Sequence, residues 1–133
     1  MSFRSLANDL EFGLAKEAEV IKRLSEHFCD DIVKTEDKFC KYDAYGKINK
    51  YEIKSRRNKK DAYPTTIIPA HKTMEGDLYF VFNFTDGLYY IKYDDEKFSK
   101  YETRKIGTYR MGARYNPLDH FCIPVGDLSK IGE

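Results

Sequence analysis

The chain has 133 residues, of which 41% are hydrophobic, 15% aromatic and 34% charged. This length and apolar content predict one domain spanning residues 1–133. The 23 Lys and Arg residues balance the 22 Asp and Glu residues, which excludes a polybasic protein, so any nucleic-acid contact must come from local basic clusters. No apolar run approaches the roughly 20 residues that span a bilayer. Three cysteines do not suggest a disulfide framework, and we expect a cytoplasmic location.

The first predicted element is a helix over about residues 5–28. Apolar residues recur at spacings of three and four, which places them on one helical face. These residues are Leu10, Leu14, Ile21, Leu24 and Phe28. Glu17 occupies the same face, where an apolar residue would be expected, and it is therefore a candidate functional residue.

Two hairpins are predicted after this helix. The first joins strands over residues 39–45 and 48–55 near Gly46, because the hydrophobic pattern changes there to period two. The second joins strands over residues 78–84 and 88–93 through an Asp-Gly turn.

The segments around these hairpins carry weaker signals. The two prolines at 64 and 69 predict a loop or a short helical piece after the first hairpin. Residues 94–118 are polar and predict a short helix and a long loop, followed by a strand over 120–125 and a helical turn over 127–131. This order predicts an α/β fold with an N-terminal helix packed on a mixed sheet.

Three charged residues are expected to share one face of the first hairpin. Glu52 and Lys54 are two apart in one strand, so both side chains leave the same face of the sheet. If facing residue numbers sum to 93 or 95, Asp43 lies on that face as well, with its Cβ atom roughly 5 to 8 Å from its neighbours. A slip of one residue would move Asp43 to the other face.

This charge arrangement predicts a magnesium site. Two carboxylates and an ammonium are costly to bury without partners, and Mg²⁺ prefers hard oxygen ligands and keeps several waters. Asp43, Glu52 and the backbone carbonyl of Ile53 are the expected ligands, with Glu17 binding directly or through water. A metal-bound water beside Lys54 is suited to hydrolysing a phosphodiester, because Lys54 can orient or deprotonate it.

Asp43, eight intervening residues and then the Glu52–Lys54 triplet, preceded by the helical Glu17, resemble the motif of the PD-(D/E)XK nuclease superfamily. Tyr42 stands where that motif has its proline. The resemblance implies a restriction-endonuclease-like core and assigns catalytic roles to Glu17, Asp43, Glu52 and Lys54. It also implies a Mg²⁺-dependent endodeoxyribonuclease, with Mn²⁺ as a substitute, that acts on branched DNA as Holliday-junction resolvases do.

Basic side chains near this motif are candidates for DNA contact. The segment after the triplet is rich in cations, a composition that suits phosphate binding. A second basic group is interleaved with tyrosines, which suits phosphate contact combined with stacking. The predicted contact residues are Arg56, Arg57, Lys59, Lys60, Lys72, Arg110 and Arg114.

Several functions remain open at this point. A sequence-specific restriction or homing enzyme would carry the same residues, and an RNA endonuclease is compatible with the same metal site. A non-catalytic nucleic-acid-binding module with a nuclease-like fold would bind DNA without metal-dependent turnover. One small domain leaves no room for a separate module for target recognition, so we expect either a homodimer that cuts two strands or recognition of DNA shape instead of sequence.

Overall fold

The computed structural model describes residues 17–35, 43–70, 77–106, 109–110, 113–114 and 118–132. Helix α1 runs through residues 17–28, and helix α2 spans Asp95–Ser99. The strands before α2 are β1 (Val33–Lys34), β2 (Ala44–Tyr45), β3 (Lys50–Ser55), β4 (Thr65–Pro69), β5 (Leu78–Phe84) and β6 (Gly87–Lys92). The strands after α2 are β7 (Glu102–Ile106), β8 (Tyr109–Arg110), β9 (Ala113–Arg114), β10 (Leu118–Pro124) and β11 (Ser129–Lys130). Short 3₁₀ turns lie at Lys60–Ala62 and Val125–Asp127.

Among the described residues, the strands form one large mixed sheet and two smaller sheets. The described part of the large sheet has six strands in the order β1-β2-β3-β5-β6-β11, in which β3 and β5 are parallel. Its other neighbours are antiparallel. Strands β4, β10 and β7 form a three-stranded antiparallel sheet, and β8 pairs with β9.

Two hydrophobic clusters lie on the two faces of the large sheet. On one face, Val20 and Leu24 of α1 pack with Tyr51 and Val81 of the sheet. On the other face, Phe82 and its neighbours pack with residues of the three-stranded sheet and α2. Those residues include Ile68, Ile123 and Phe98. Because side chains alternate between faces along a strand, β5 and β6 contribute to both clusters, whereas β3 contributes only to the α1 cluster.

This architecture confirms the α/β class with a mixed sheet and an N-terminal helix, although strands predominate. The first hairpin has the sum-of-95 register, in which Ala44 faces Tyr51. The second hairpin also forms, with Thr85 and Asp86 between its strands. No helix within the described ranges is long and apolar enough to cross a membrane.

Three segments differ from the sequence-based expectation. Thr65–Pro69, expected to be a loop or helical piece, is a strand because it pairs along β10, and its proline lies on the edge of that sheet, where proline is tolerated. Glu102–Ile106, expected to be irregular, is also a strand that pairs with β10. The expected last helical turn is a 3₁₀ turn followed by the short strand β11, which pairs with β6.

Candidate functional site

A cleft of about 630 Å³ opens at the carboxyl ends of the parallel strands β3 and β5, beside α1. Ligands of open α/β sheets usually bind outside the carboxyl ends of the strands. Five residues singled out from the sequence line this cleft: Glu17, Asp43, Ile53, Arg56 and Arg57. Asn83 and Thr85 at the end of β5 form another part of its wall.

Asp43 reaches the cleft through a β-bulge at the start of β2. Tyr51 faces Ala44 in the strand register, yet its carbonyl oxygen also accepts the Asp43 N–H at 2.9 Å. Two residues of one strand therefore oppose one residue of the other, which locally breaks the alternation of faces. The Asp43 carboxylate accepts the Ile53 N–H at 2.7 Å through Oδ2, so this half-buried side chain is tied to the middle of β3.

Glu17 lies at the cleft one helical turn before the buried Val20. Its Oε2 atom lies 3.1 Å from the Nζ atom of Lys34 on strand β1, and the Glu17 side chain is 30% exposed. The ammonium of Lys34 neutralises a carboxylate that sits beside an apolar helix face. Lys34 was not singled out from the sequence, because a two-residue strand carries no periodic signal that would reveal its partner.

Arg56 forms part of the cleft wall and also holds two strands together. It donates to the Ile67 carbonyl oxygen at 2.6 Å and to Thr66 Oγ1 at 3.3 Å, both on β4. Its guanidinium carbon lies 5.6 Å from the centre of the Phe82 ring. Burial lowers the pKa of the Arg56 guanidinium from its usual value, although arginine stays protonated at any physiological pH.

The basic residues after Arg56 lie on the loop between β3 and β4. Arg57 and Lys59 are exposed, and Arg57 lines the cleft. The Nζ atom of Lys60 lies 5.0 Å from the centre of the Tyr89 ring and 3.8 Å from an oxygen of Asp61. The Arg56 guanidinium contacts Phe82 and β4, on the face of the sheet opposite to α1. The cleft therefore has the carboxylates of Glu17 and Asp43 on one wall and the exposed Arg57 on another.

Glu52 and Lys54 lie apart from this cleft. They alternate with Tyr51 and Ile53, which pack in the α1 cluster, so their side chains leave the other face of β3. The two side chains pair with each other, with 3.0 Å between Lys54 Nζ and Glu52 Oε1. The structure thus brings Glu17, Asp43 and the Ile53 backbone together but leaves Glu52 and Lys54 on the opposite face.

The donors at the cleft suit a cation that keeps several waters. Across the residues the structure describes, no group of three or more His, Cys, Asp or Glu side chains is close enough to hold a metal ion. Two carboxylates, Glu17 and Asp43, still share the cleft with Ile53. Mg²⁺ is commonly held by one or two carboxylates and completes its coordination with water or phosphate oxygens.

The remaining predicted DNA contacts lie elsewhere or outside the described residues. Lys72 falls outside them. Arg110 and Arg114 belong to strands β8 and β9, where Arg110 faces Ala113 and Tyr109 faces Arg114.

No family profile, curated protein or solved structure matches this chain. The resemblance to the nuclease superfamily therefore stays a prediction, and functional inference depends on the geometry of the cleft.

Proposed function

We propose that the protein is a Mg²⁺-dependent endonuclease that hydrolyses phosphodiester bonds of DNA in this cleft. The observation that carries the proposal is the composition of the cleft, where Glu17 and Asp43 share one space with the exposed Arg57. Carboxylates bind a divalent cation, and guanidinium groups bind phosphate. A nuclease active site needs both kinds of side chain, because it binds a metal ion and the phosphate backbone of its substrate together.

In this proposal, Asp43 and the Ile53 carbonyl hold the metal directly, and Glu17 holds it directly or through water. These ligands fit Mg²⁺ because they are hard oxygen donors. Asp43 accepts the Ile53 N–H through Oδ2, and its other carboxylate oxygen, Oδ1, is the proposed donor to the metal. When bound, Mg²⁺ polarises the phosphoryl oxygen and lowers the pKa of its water. Mn²⁺, which accepts similar ligands, is expected to substitute.

The basic wall orients the substrate. Arg57, exposed at the cleft, is placed to contact a phosphate oxygen. Arg56 is bonded to Thr66 and Ile67 on the other face of the sheet, so it anchors the start of the loop that carries Arg57.

Glu52 and Lys54 enter the proposal as positioning residues. Their ion pair lies on the far side of the β3 backbone from the cleft and holds the segment that carries Ile53. A direct role in metal binding or water activation, as the sequence motif implies, would require their side chains to reach the cleft face.

The strand order agrees only in part with the order that the resemblance implies, which is a helix, a two-stranded hairpin, a second helix and a further strand. The described residues form a helix, three antiparallel strands and a crossover to a strand parallel to the third. The crossover differs, because its described part is a 3₁₀ turn and strand β4 instead of a helix. We propose a branched DNA substrate, as the resemblance implies, and a homodimer, which the small size of the domain favours. A sequence-specific enzyme is the alternative.

A non-catalytic DNA-binding module is the second candidate function. It is favoured by the ion pairs that engage Glu17 with Lys34 and Glu52 with Lys54. At the cleft, Asp43 instead accepts a backbone N–H, from Ile53.

The test is cleavage of labelled four-way junction, linear duplex, single-stranded DNA and RNA with Mg²⁺, Mn²⁺ or EDTA. Asp43→Asn keeps an oxygen that accepts the Ile53 N–H but removes the charge, so we expect folding without activity. Glu17→Gln should likewise lower cleavage, each by about 100-fold or more. Glu19→Gln is the matched control, because Glu19 is exposed on the same helix.

Two results would count against this proposal. Binding of DNA without cleavage in any metal would leave the non-catalytic module. Equal activity in wild type and Asp43→Asn would show that Asp43 does not hold the metal ion.

A further result would change only the role of Lys54. A complete loss of activity in Lys54→Ala with unchanged stability would show that Lys54 acts directly in the reaction.

A further inference from the structure

Tyr63 is a large aromatic side chain that is exposed to solvent, in the same loop as the basic residues that follow β3. Its exposed fraction is 63%. It lies in the loop between β3 and β4, which begins at the cleft with Arg56 and Arg57. An exposed tyrosine face is a flat apolar surface on which a nucleobase can stack.

The loop that carries Tyr63 is anchored on both sides of this residue. Before it, the Asn58 carbonyl oxygen accepts the Thr85 N–H at 3.1 Å, and the Lys60 N–H donates to Asp86 Oδ1 at 2.9 Å. After it, the Pro64 carbonyl oxygen accepts the Val125 N–H at 3.1 Å. A held loop loses less conformational freedom when a ligand binds.

The charge of this loop favours a nucleic-acid strand over an apolar partner. Arg57 and Lys59 are exposed and precede Tyr63, and Asp61 is the acid among them. A phosphate backbone that leaves the cleft along Arg57 and Lys59 meets positive charge before it reaches the tyrosine. Cationic side chains combined with an aromatic surface are the usual components of single-strand binding.

We propose that Tyr63 is a stacking platform for an unpaired base of the DNA strand whose phosphates enter the cleft. This inference rests on the proposed function and narrows its substrate class. Bases of an intact duplex stack on each other and do not present a free face. The platform therefore selects single-stranded DNA, or branched DNA with unpaired bases, over blunt duplex.

The experiment measures binding of fluorescent DNA by anisotropy in EDTA, where cleavage cannot interfere. The probes are a single strand, the same strand with abasic sites and the corresponding blunt duplex. Tyr63→Ala should weaken binding of the intact single strand by about 5- to 100-fold. Binding of the abasic strand and the duplex should change little, and Tyr63→Phe should bind like wild type.

Ile48→Ala is the matched control, because Ile48 is 73% exposed but lies in the turn between β2 and β3. The inference is overturned if Tyr63→Ala binds the single strand like wild type, or loses affinity equally for all three probes. Failure of wild type to bind the single strand overturns it as well.

A cleavage assay run in parallel separates this inference from the proposed function. A protein that binds through Tyr63 but cuts nothing in any metal overturns the nuclease proposal alone. A protein that cuts DNA with no effect of Tyr63→Ala on binding overturns the stacking platform alone.

Discussion

Glu52 is a carboxylate whose side chain is only 10% exposed, and its neutralising partner is the ammonium of Lys54, 3.0 Å away. The register places Glu52 beside Phe80 and Lys54 beside Phe82, both fully buried. A charge in such surroundings is tolerated because its partner is close. The pair therefore stabilises this part of β3 only while both members are present.

Lys54→Met should be more destabilising than removal of both charges. The single change leaves the Glu52 carboxylate without its ammonium, at an expected cost of about 1–3 kcal/mol in the free energy of unfolding. The double variant Glu52→Leu, Lys54→Met should recover part of that loss. Urea unfolding of wild type, both single variants and the double variant measures the coupling. Additive effects would show that the pair contributes no coupling energy.

At the scale of elements, the end of α1 is tied to the turn between β2 and β3 by one side chain. Asp30, just after α1, accepts the Lys47 N–H at 3.2 Å through Oδ1. A Cβ atom on Gly46 would fall on the Asp30 carboxylate. A side chain at position 46 would therefore displace this carboxylate from its bond to Lys47. The contact holds the hairpin that carries Asp43 against the helix that carries Glu17.

Gly46→Ala should destabilise the protein by about 0.5–1.5 kcal/mol, because the Asp30 carboxylate must turn away and lose its bond to the Lys47 N–H. In an Asp30→Ala background the same glycine change should cost much less, since the obstructing atoms are gone. The four proteins of this cycle are compared by their urea midpoints and slopes. A glycine effect that is the same in both backgrounds would rule out the contact with Asp30 as its cause.

At the scale of the whole molecule, two tyrosine–aspartate bonds connect segments around the buried Phe98. Tyr93 donates to Asp95 Oδ1 at 2.6 Å, at the start of α2. Tyr101, at the end of that helix segment, donates to Asp127 Oδ2 at 2.7 Å and so reaches the C-terminal 3₁₀ turn. The rings of both tyrosines pack on Phe98.

These bonds predict a loss of stability at alkaline pH. The hydrogen bond to Asp95, with burial, raises the pKa of Tyr93 from 10.0 to about 12. Burial first, and then the bond to Asp127, raises the pKa of Tyr101. A folded-state pKa above the unfolded value gives stability that is complete below about pH 10 and lost as the pH rises through the folded-state pKa.

Urea midpoints measured from about pH 8 to 12 should therefore fall above about pH 10. Tyr93→Phe and Tyr101→Phe should each flatten part of this decline, because phenylalanine has no phenol to ionise. Tyr63→Phe is the control, since its side chain is exposed. If both variants keep the decline of wild type, other groups control the alkaline transition.

The sequence alone identified those helices and strands whose hydrophobic pattern or turn residues lie within one short segment. The apolar spacing identified the part of α1 that packs through Val20 and Leu24, and alternation with an Asp-Gly turn identified the hairpin of β5 and β6. For the first hairpin the sequence left two registers open, and the structure has the one in which facing residue numbers sum to 95. The α/β class followed from the order of these elements.

The tertiary structure alone decided which side chains meet. Strands β4 and β7 form because each pairs with β10, which comes later in the chain and supplies their hydrogen bonds. Asp43 faces the Glu17 cleft because a bulge opposite Tyr51 breaks the alternation that places it with Glu52. Sequence periodicity records burial along one segment, whereas strand partners, bulges and ion pairs depend on contacts between segments. The candidate residues could therefore be chosen from the sequence, but their division between two faces of β3 could not.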